Sequence, residues 1–186
     1  MKRLSGVVLA SVLLISCGDS GSEPSENTST TTYTISISPA SEIPAVTNGD
    51  QSITGTAVIK ITATKDGNTV KSATVDYQIT ASGFPAGTTI TGAHIHTGGS
   101  AVNGGIFHNP GITASDMPIS GTGSGSVTKN GLTLNAADAQ AILSSASSFY
   151  FNLHTALNPG GAARGQLATG GSPTDPGPGG GNPLPY

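Results

Sequence analysis

The sequence predicts an all-β domain: an antiparallel β-sandwich or Greek-key barrel with one short helix, flanked by disordered termini. Three observations lead there. Two alternating apolar/polar runs flank an Asp-Gly turn signal in the 186-residue chain. Further short Thr-, Val- and Ile-rich segments recur between Gly and Pro turns. Residues 17–32 and 170–186, on either side of these segments, lack the apolar residues a core needs.

The N-terminus reads as an export signal over residues 1–16. Lys2 and Arg3 form a positive start, and Val7 to Ile15 is a short apolar run. Leu14-Ile15-Ser16-Cys17 resembles a bacterial lipobox, which marks Cys17 for lipidation. Cys17 is the only cysteine, so no intrachain disulfide can form. One acyl chain anchors weakly, so stable attachment needs several. Gly18 follows Cys17 where an inner-membrane retention signal would have Asp. This favours a lipid anchor in the outer membrane or at the bacterial cell surface. Residues 17–32, rich in Gly, Ser, Thr and Glu, read as a flexible tether. Residues 170–186 read as a Gly/Pro-rich disordered tail.

Charge removes one class of partner. The chain has 7 basic and 10 acidic residues. Losing the signal removes two bases and leaves net negative charge, so nucleic acid is not a partner.

Residues 33–169 have the size of one domain. A first strand is expected at Tyr33 to Ile37. From Ile53 to Ala63, Ala57, Ile59 and Ile61 share one face. After the Asp66-Gly67 turn, Val75, Tyr77 and Ile79 do the same within Val70 to Thr80. Period two implies one buried and one wet face, hence an antiparallel sheet. Further strands are expected at Thr88 to His96, Ser120 to Lys129, Phe149 to His154 and Ala162 to Ala168. Asn135 can cap a helix over Ala136 to Ala146, with Ala139, Ile142 and Leu143 at helical spacing and Asp138 in the first turn. Trp is absent. The core must rest on Ile, Val, Leu and Ala, with Phe149 and Phe151 as its largest members.

The chain has 4 histidines. In "AHIH", Ala93 and Ile95 are the core-facing members, so His94 and His96 share the opposite face. By the same parity Tyr150, Asn152 and His154 oppose Phe149, Phe151 and Leu153. If the two strands are neighbours, three imidazoles converge at one rim of the sheet. A His-x-His strand followed by a distant His collects nitrogen ligands for Zn or Cu. The competing reading has these rings hydrogen-bond loop carbonyls and fix the turns. Asp116 is the nearest candidate acid by sequence, and His108 sits at the start of a turn. No nucleophile elbow and no phosphate loop is present, and acylation of Cys17 removes the only thiol. Within residues 33–169 there is one glutamate, Glu42, and one arginine, Arg164. A structural clamp through each other or through shared loop carbonyls is expected of them.

Three stretches together resemble a CHRD domain, the module named from the animal protein chordin and found in many bacterial secreted proteins. "SEIPAV" resembles its opening Glu-x-Pro motif. "AHIHTGGSAVNGG" resembles its Ala-His-Ile-His-x-Gly segment. "FYFNLHTALNPGGAARGQL" resembles its Tyr-x-Asn-x-His-Thr ending with the later Pro-Gly-Gly-Glu-x-Arg-Gly-Gln. The resemblance implies an extracellular, mainly β domain without an established activity. It carries over Glu42, His94, His96, Asn152, His154, Thr155, Pro159, Gly161, Arg164 and Gln166. Ala162 departs from it, standing where the family has Glu. His108 lies outside the pattern. The histidines and the late Arg also resemble copper/zinc superoxide dismutase, by fold-level analogy. That enzyme needs more ligands than these histidines provide.

The sequence thus points to a membrane-anchored lipoprotein acting as a non-enzymatic binding module for an extracytoplasmic protein or glycan. The alternative is a His-cluster Cu/Zn domain, with dismutase-like activity at its furthest reach. No cofactor is certain at this level; Zn or Cu on His94, His96 and His154 is the one the residues allow.

Overall fold

A computed structural model describes residues 26–167. The export signal, Cys17, the first part of the tether and the Gly/Pro-rich tail lie outside the described residues.

Eight strands and one helix follow in order. They are β1 (Glu26–Ile37), β2 (Thr54–Asp66), β3 (Thr69–Ser82), β4 (Ile90–Thr97), β5 (Ile106–His108), β6 (Ser124–Leu134), α1 (Ala136–Ser144), β7 (Phe149–Thr155) and β8 (Ala163–Gln166). They form two four-stranded antiparallel sheets, β1-β2-β3-β6 and β5-β4-β7-β8. This is the sandwich of the two architectures the sequence allowed. The sheets are joined at one corner. Past β1, Ser38 pairs with Arg164 of β8, its N–H donating to Arg164 O at 3.0 Å and its carbonyl accepting from Arg164 N at 3.2 Å. That pairing occupies part of the β8 edge.

The first sheet shows the expected alternation. Ala57, Ile59 and Ile61 of β2 and Val75, Tyr77 and Ile79 of β3 are fully buried. They meet Ala93, Ile95, Phe151 and Leu153 of the second sheet in one core cluster. Each buried Ile or Phe contributes about 1.5–3 kcal/mol relative to exposure. Two tyrosines join the large core members: Tyr33 and Tyr77 are as buried as Phe151. Helix α1 begins as expected, with Asn135 Oδ1 accepting from Asp138 N at 2.8 Å. It buries Ala139 and Ile142, and Gln140 Oε1 accepts from Val70 N at 2.9 Å, tying it to β3.

Several boundaries differ from expectation. β1 starts at Glu26, so residues 26–32 of the expected tether are strand. Their threonines pair with β2, Thr30 opposite Thr62 and Thr28 opposite Thr64. A β-branched side chain suits a strand without needing burial. β6 runs to Leu134, through an Asn130-Gly131 pair that looks like a turn. The chain absorbs it as a bulge opposite β3 between Val75 and Tyr77. Gly131 takes φ +65°, open to glycine, and donates its N–H to Asp76 Oδ1 at 2.7 Å. β5 was not expected, having too few residues to show a period.

Candidate functional site

The outer face of the second sheet departs most from a simple sandwich. Every residue of β7 is buried, on both faces. The expected wet face is instead a second, polar core. Its rows follow from the register: His94 of β4 lies opposite Asn152 of β7, which lies opposite Arg164 of β8; His96 lies opposite Tyr150, which lies opposite Gln166. His154 lies opposite Gly92.

Loop 98–104 covers one half of this face, and Arg164 holds it. Arg164 is 1 % exposed. It donates to Gly99 O at 3.1 Å, Val102 O at 3.2 Å and Asn103 Oδ1 at 2.9 Å, and stacks 3.7 Å over the Tyr150 ring. Gln166 Nε2 donates to the carbonyls of Gly98, Ser147 and Phe149. Asn103 Nδ2 reaches Ile43 O at 2.6 Å, linking this loop to residues 42–48. The expected clamp through loop carbonyls is therefore what Arg164 forms. It makes no ion pair with Glu42; the ion pairs among the described residues are Lys60–Asp76, Lys71–Asp66 and Lys129–Asp116.

Residues 156–161 cover the other half. Thr155 donates Oγ1–H to Asp50 Oδ2 at 2.6 Å and accepts from Asn158 N at 3.0 Å. Asn158 Nδ2 also reaches Asp50 Oδ2 at 2.6 Å. Pro159 supplies a carbonyl 3.0 Å from His154 Nδ1. Gly161 has φ +143°, and a Cβ there would lie 2.4 Å from Asn152 Nδ2 and 2.7 Å from Glu42 Oε2. Only glycine fits that close approach. Glu42 is thus packed against Asn152 and Gly161. Burial raises its carboxyl to about 7, against the pull of Arg164 and Asn152. Glu42 Oε1 and Asn152 Oδ1 have no hydrogen-bond partner among the described residues.

His94, His96 and His154 come together, each offering a ring nitrogen within 4.8 Å of the others. The ring centroids are 5.0–5.7 Å apart. They lie on the sheet face beneath the loops rather than at its rim, because the loops fold over them. Gly92 makes the space: its bare Cα lets the His94 ring lie against it.

The hydrogen bonds fix the tautomers. His96 Nδ1 lies 3.1 Å from Gly104 O, and His154 Nδ1 lies 3.0 Å from Pro159 O. A carbonyl only accepts, so in each ring Nδ1 carries the proton and Nε2 carries the lone pair. Those two Nε2 atoms face each other at 3.3 Å. Two lone pairs cannot bond each other; a proton or a metal ion between them would resolve the contact. Two nitrogens each about 2.0–2.1 Å from one tetrahedral ion lie about 3.3–3.4 Å apart. His94 Nδ1 is buried without a partner. Burial, then the neighbouring imidazoles, lowers His94 to about 4; burial likewise lowers His96 and His154. The rings are therefore neutral near pH 7, the form that ligates metal.

Two sequence candidates stay outside the cluster. His108 Nδ1 meets Tyr77 Oη at 2.6 Å, a strut between the sheets. Asp116 pairs with Lys129 at 2.6 Å, which holds its carboxyl down near about 2. Sequence reading put Tyr150 on the histidine face without a role, and missed Asn103, Asp50 and Asn158. Tyr150, Asn103 and Asn158 stand within the quoted motifs and were readable there; Asp50 carries no local pattern.

Comparison with curated proteins and with solved structures yields no match to either. The family model for the CHRD domain matches residues 33–167, from the first buried residue of β1 to the last buried residue after β8. Glu42, the His-x-His pair and the Asn-x-His-Thr to Arg-x-Gln ending, which the fold gathers on one face, all lie within the match, and the chain belongs to the CHRD-domain family.

Proposed function

We propose that this chain is a membrane-tethered, extracytoplasmic binding module without enzymatic activity, and that its central ligand is a transition-metal ion. Acylated Cys17 anchors it to the bacterial envelope in this reading, facing the outer membrane or surface. No helix among the described residues is long and apolar enough to cross a membrane.

The facing Nε2 atoms of His96 and His154, with both Nδ1 atoms held by carbonyls, carry the metal reading. Such carbonyl acceptors orient and strengthen imidazole ligands. With His94 the donor set is three neutral nitrogens, which suits Zn or Cu. The superoxide dismutase comparison draws less support, because His108 and Asp116 supply no further ligand to the cluster.

Metal analysis of the purified full chain tests this, before and after dialysis against chelator and reloading with zinc or copper. Near-stoichiometric metal that His96→Ala and His154→Ala each abolish supports the centre. A folded protein that takes up no metal refutes it, and leaves recognition of a protein or glycan as the module's function.

A further inference from the structure

A second feature lies apart from the histidines. Residues 42–48 and 157–161 bound a cleft of about 390 Å³, with Asn103 on its wall. Glu42 lines it, is 8 % exposed, and keeps Oε1 without a partner. The neighbouring Asn152 Oδ1 is equally unpartnered. Several side-chain donors nearby are engaged. Asn48 and Asn158 exchange amide hydrogen bonds at 2.9 and 3.0 Å. Asn103 Nδ2 is held by Ile43 O, and the Arg164 fork is held by loop 98–104. Pro44, Val46 and Leu157 give the cleft an apolar side, and Leu157 is 56 % exposed.

We propose that this cleft receives a primary ammonium on an alkyl stem, the lysine side chain of an extracytoplasmic partner protein, with Glu42 as its counter-ion. The unpartnered, buried carboxylate oxygen of Glu42 selects it. An ammonium gives three hydrogen bonds and accepts none, which matches a cleft with acceptors to spare. A sugar hydroxyl is neutral and leaves the buried carboxylate without a counter-charge. A calcium ion takes six to eight oxygens and commonly several carboxylates. Here a single carboxylate lines a space far larger than an ion. The apolar side suits an alkyl stem, which packs its methylenes on apolar surface while the charged head meets polar groups. A charge-assisted bond to a buried carboxylate is the stronger kind of hydrogen bond. The inference rests on reading the chain as a binding module, and is independent of the metal centre.

The test titrates the full chain with lysine blocked at both backbone ends, and follows the signals of Glu42, Asn103 and Asn158 by NMR. Blocked norleucine, with the stem but no ammonium, and calcium chloride serve as comparators. Saturable shifts with lysine alone support the site. Glu42→Gln should weaken binding about tenfold, as for one charge-assisted bond lost. Leu157→Ser, at an exposed position, should weaken it severalfold while the fold stays intact. Both variants should keep the metal content of the parent, so a failure here is separable from a failure of the histidine site. Equal binding of norleucine, undiminished binding by Glu42→Gln, or calcium shifting the same signals without competition from lysine each overturns the proposal.

Discussion

His96 and His154 face each other through Nε2 at 3.3 Å while the Nδ1 of each ring points at a backbone carbonyl. The arrangement stores two unmet lone pairs in a buried place. Binding a cation there should stabilise the fold by mass action. At a free ion concentration about a hundredfold above Kd the gain is about 2.7 kcal/mol. We expect zinc or copper near neutral pH to raise Tm by several degrees, and His154→Ala to remove the response. A thermal melt identical with and without metal contradicts this.

The metal-free protein should respond to acid in a definite sense. Burial lowers His94 from 6.5 to about 4, so the unfolded chain binds its proton first. That contribution to stability is present above pH 6.5 and is lost as pH falls toward 4. His96, His154 and His108 act in the same direction. Glu42 opposes them. Its carboxyl is raised from 4.5 to about 7, so its contribution is present below 4.5 and is lost as pH rises through 7. Four groups outweigh one, and net stability should rise from pH 4 to 6.5. Glu42→Gln removes the opposing contribution and should steepen that limb. Urea unfolding in chelator at several pH values checks both slopes; an unchanged slope in the variant removes Glu42 from the account.

Much of the fold was legible. Parity alone placed Ala57, Ile59 and Ile61 inside, and put His94, His96 and His154 on the other face. Parity cannot say whether that face is wet. Its burial depends on loops 98–104 and 156–161 folding back, through bonds between residues some 60 positions apart such as Arg164 and Asn103. No local pattern encodes such a pairing. The extent of β6 beyond Lys129 was hidden for a related reason: Asn130-Gly131 forms a bulge and not a turn, because its partner β3 does not end there. Arg164 was legible as a clamp because a lone buried arginine needs carbonyl acceptors whichever loop supplies them.

Arg164 should be hard to replace even by lysine. Its fork reaches three oxygens on one loop while its plane covers Tyr150. An ammonium cannot match that geometry, and it would be buried with acceptors left over. We expect Arg164→Lys to destabilise the domain by about 2–4 kcal/mol, measured by urea unfolding. A loss below about 0.5 kcal/mol would mean the loop is held by other contacts.

Gly92→Ala separates the two roles open to the histidines. The added Cβ would lie 2.8 Å from His94 Cε1 and 3.1 Å from its Nε2. The obstacle is the far end of one side chain and not backbone, so the ring can swing away at modest cost. Gly92 has no positive φ, so alanine brings no backbone strain. Stability without metal should therefore change by less than about 1 kcal/mol. Metal affinity depends on where the His94 ring sits, and a ligand moved by a few tenths of an ångström leaves its range. A loss of about ten- to a hundredfold in affinity is expected, the size seen when the support of a ligand is removed. If the histidines only brace loops, the variant should show no metal phenotype and little loss of stability, since His94 Nδ1 makes no bond to lose. Titration with a chromophoric competitor chelator, beside urea unfolding in chelator, reads both quantities on the same sample. Unchanged affinity with intact folding would show that His94 is not a ligand, leaving His96 and His154 as a two-nitrogen site.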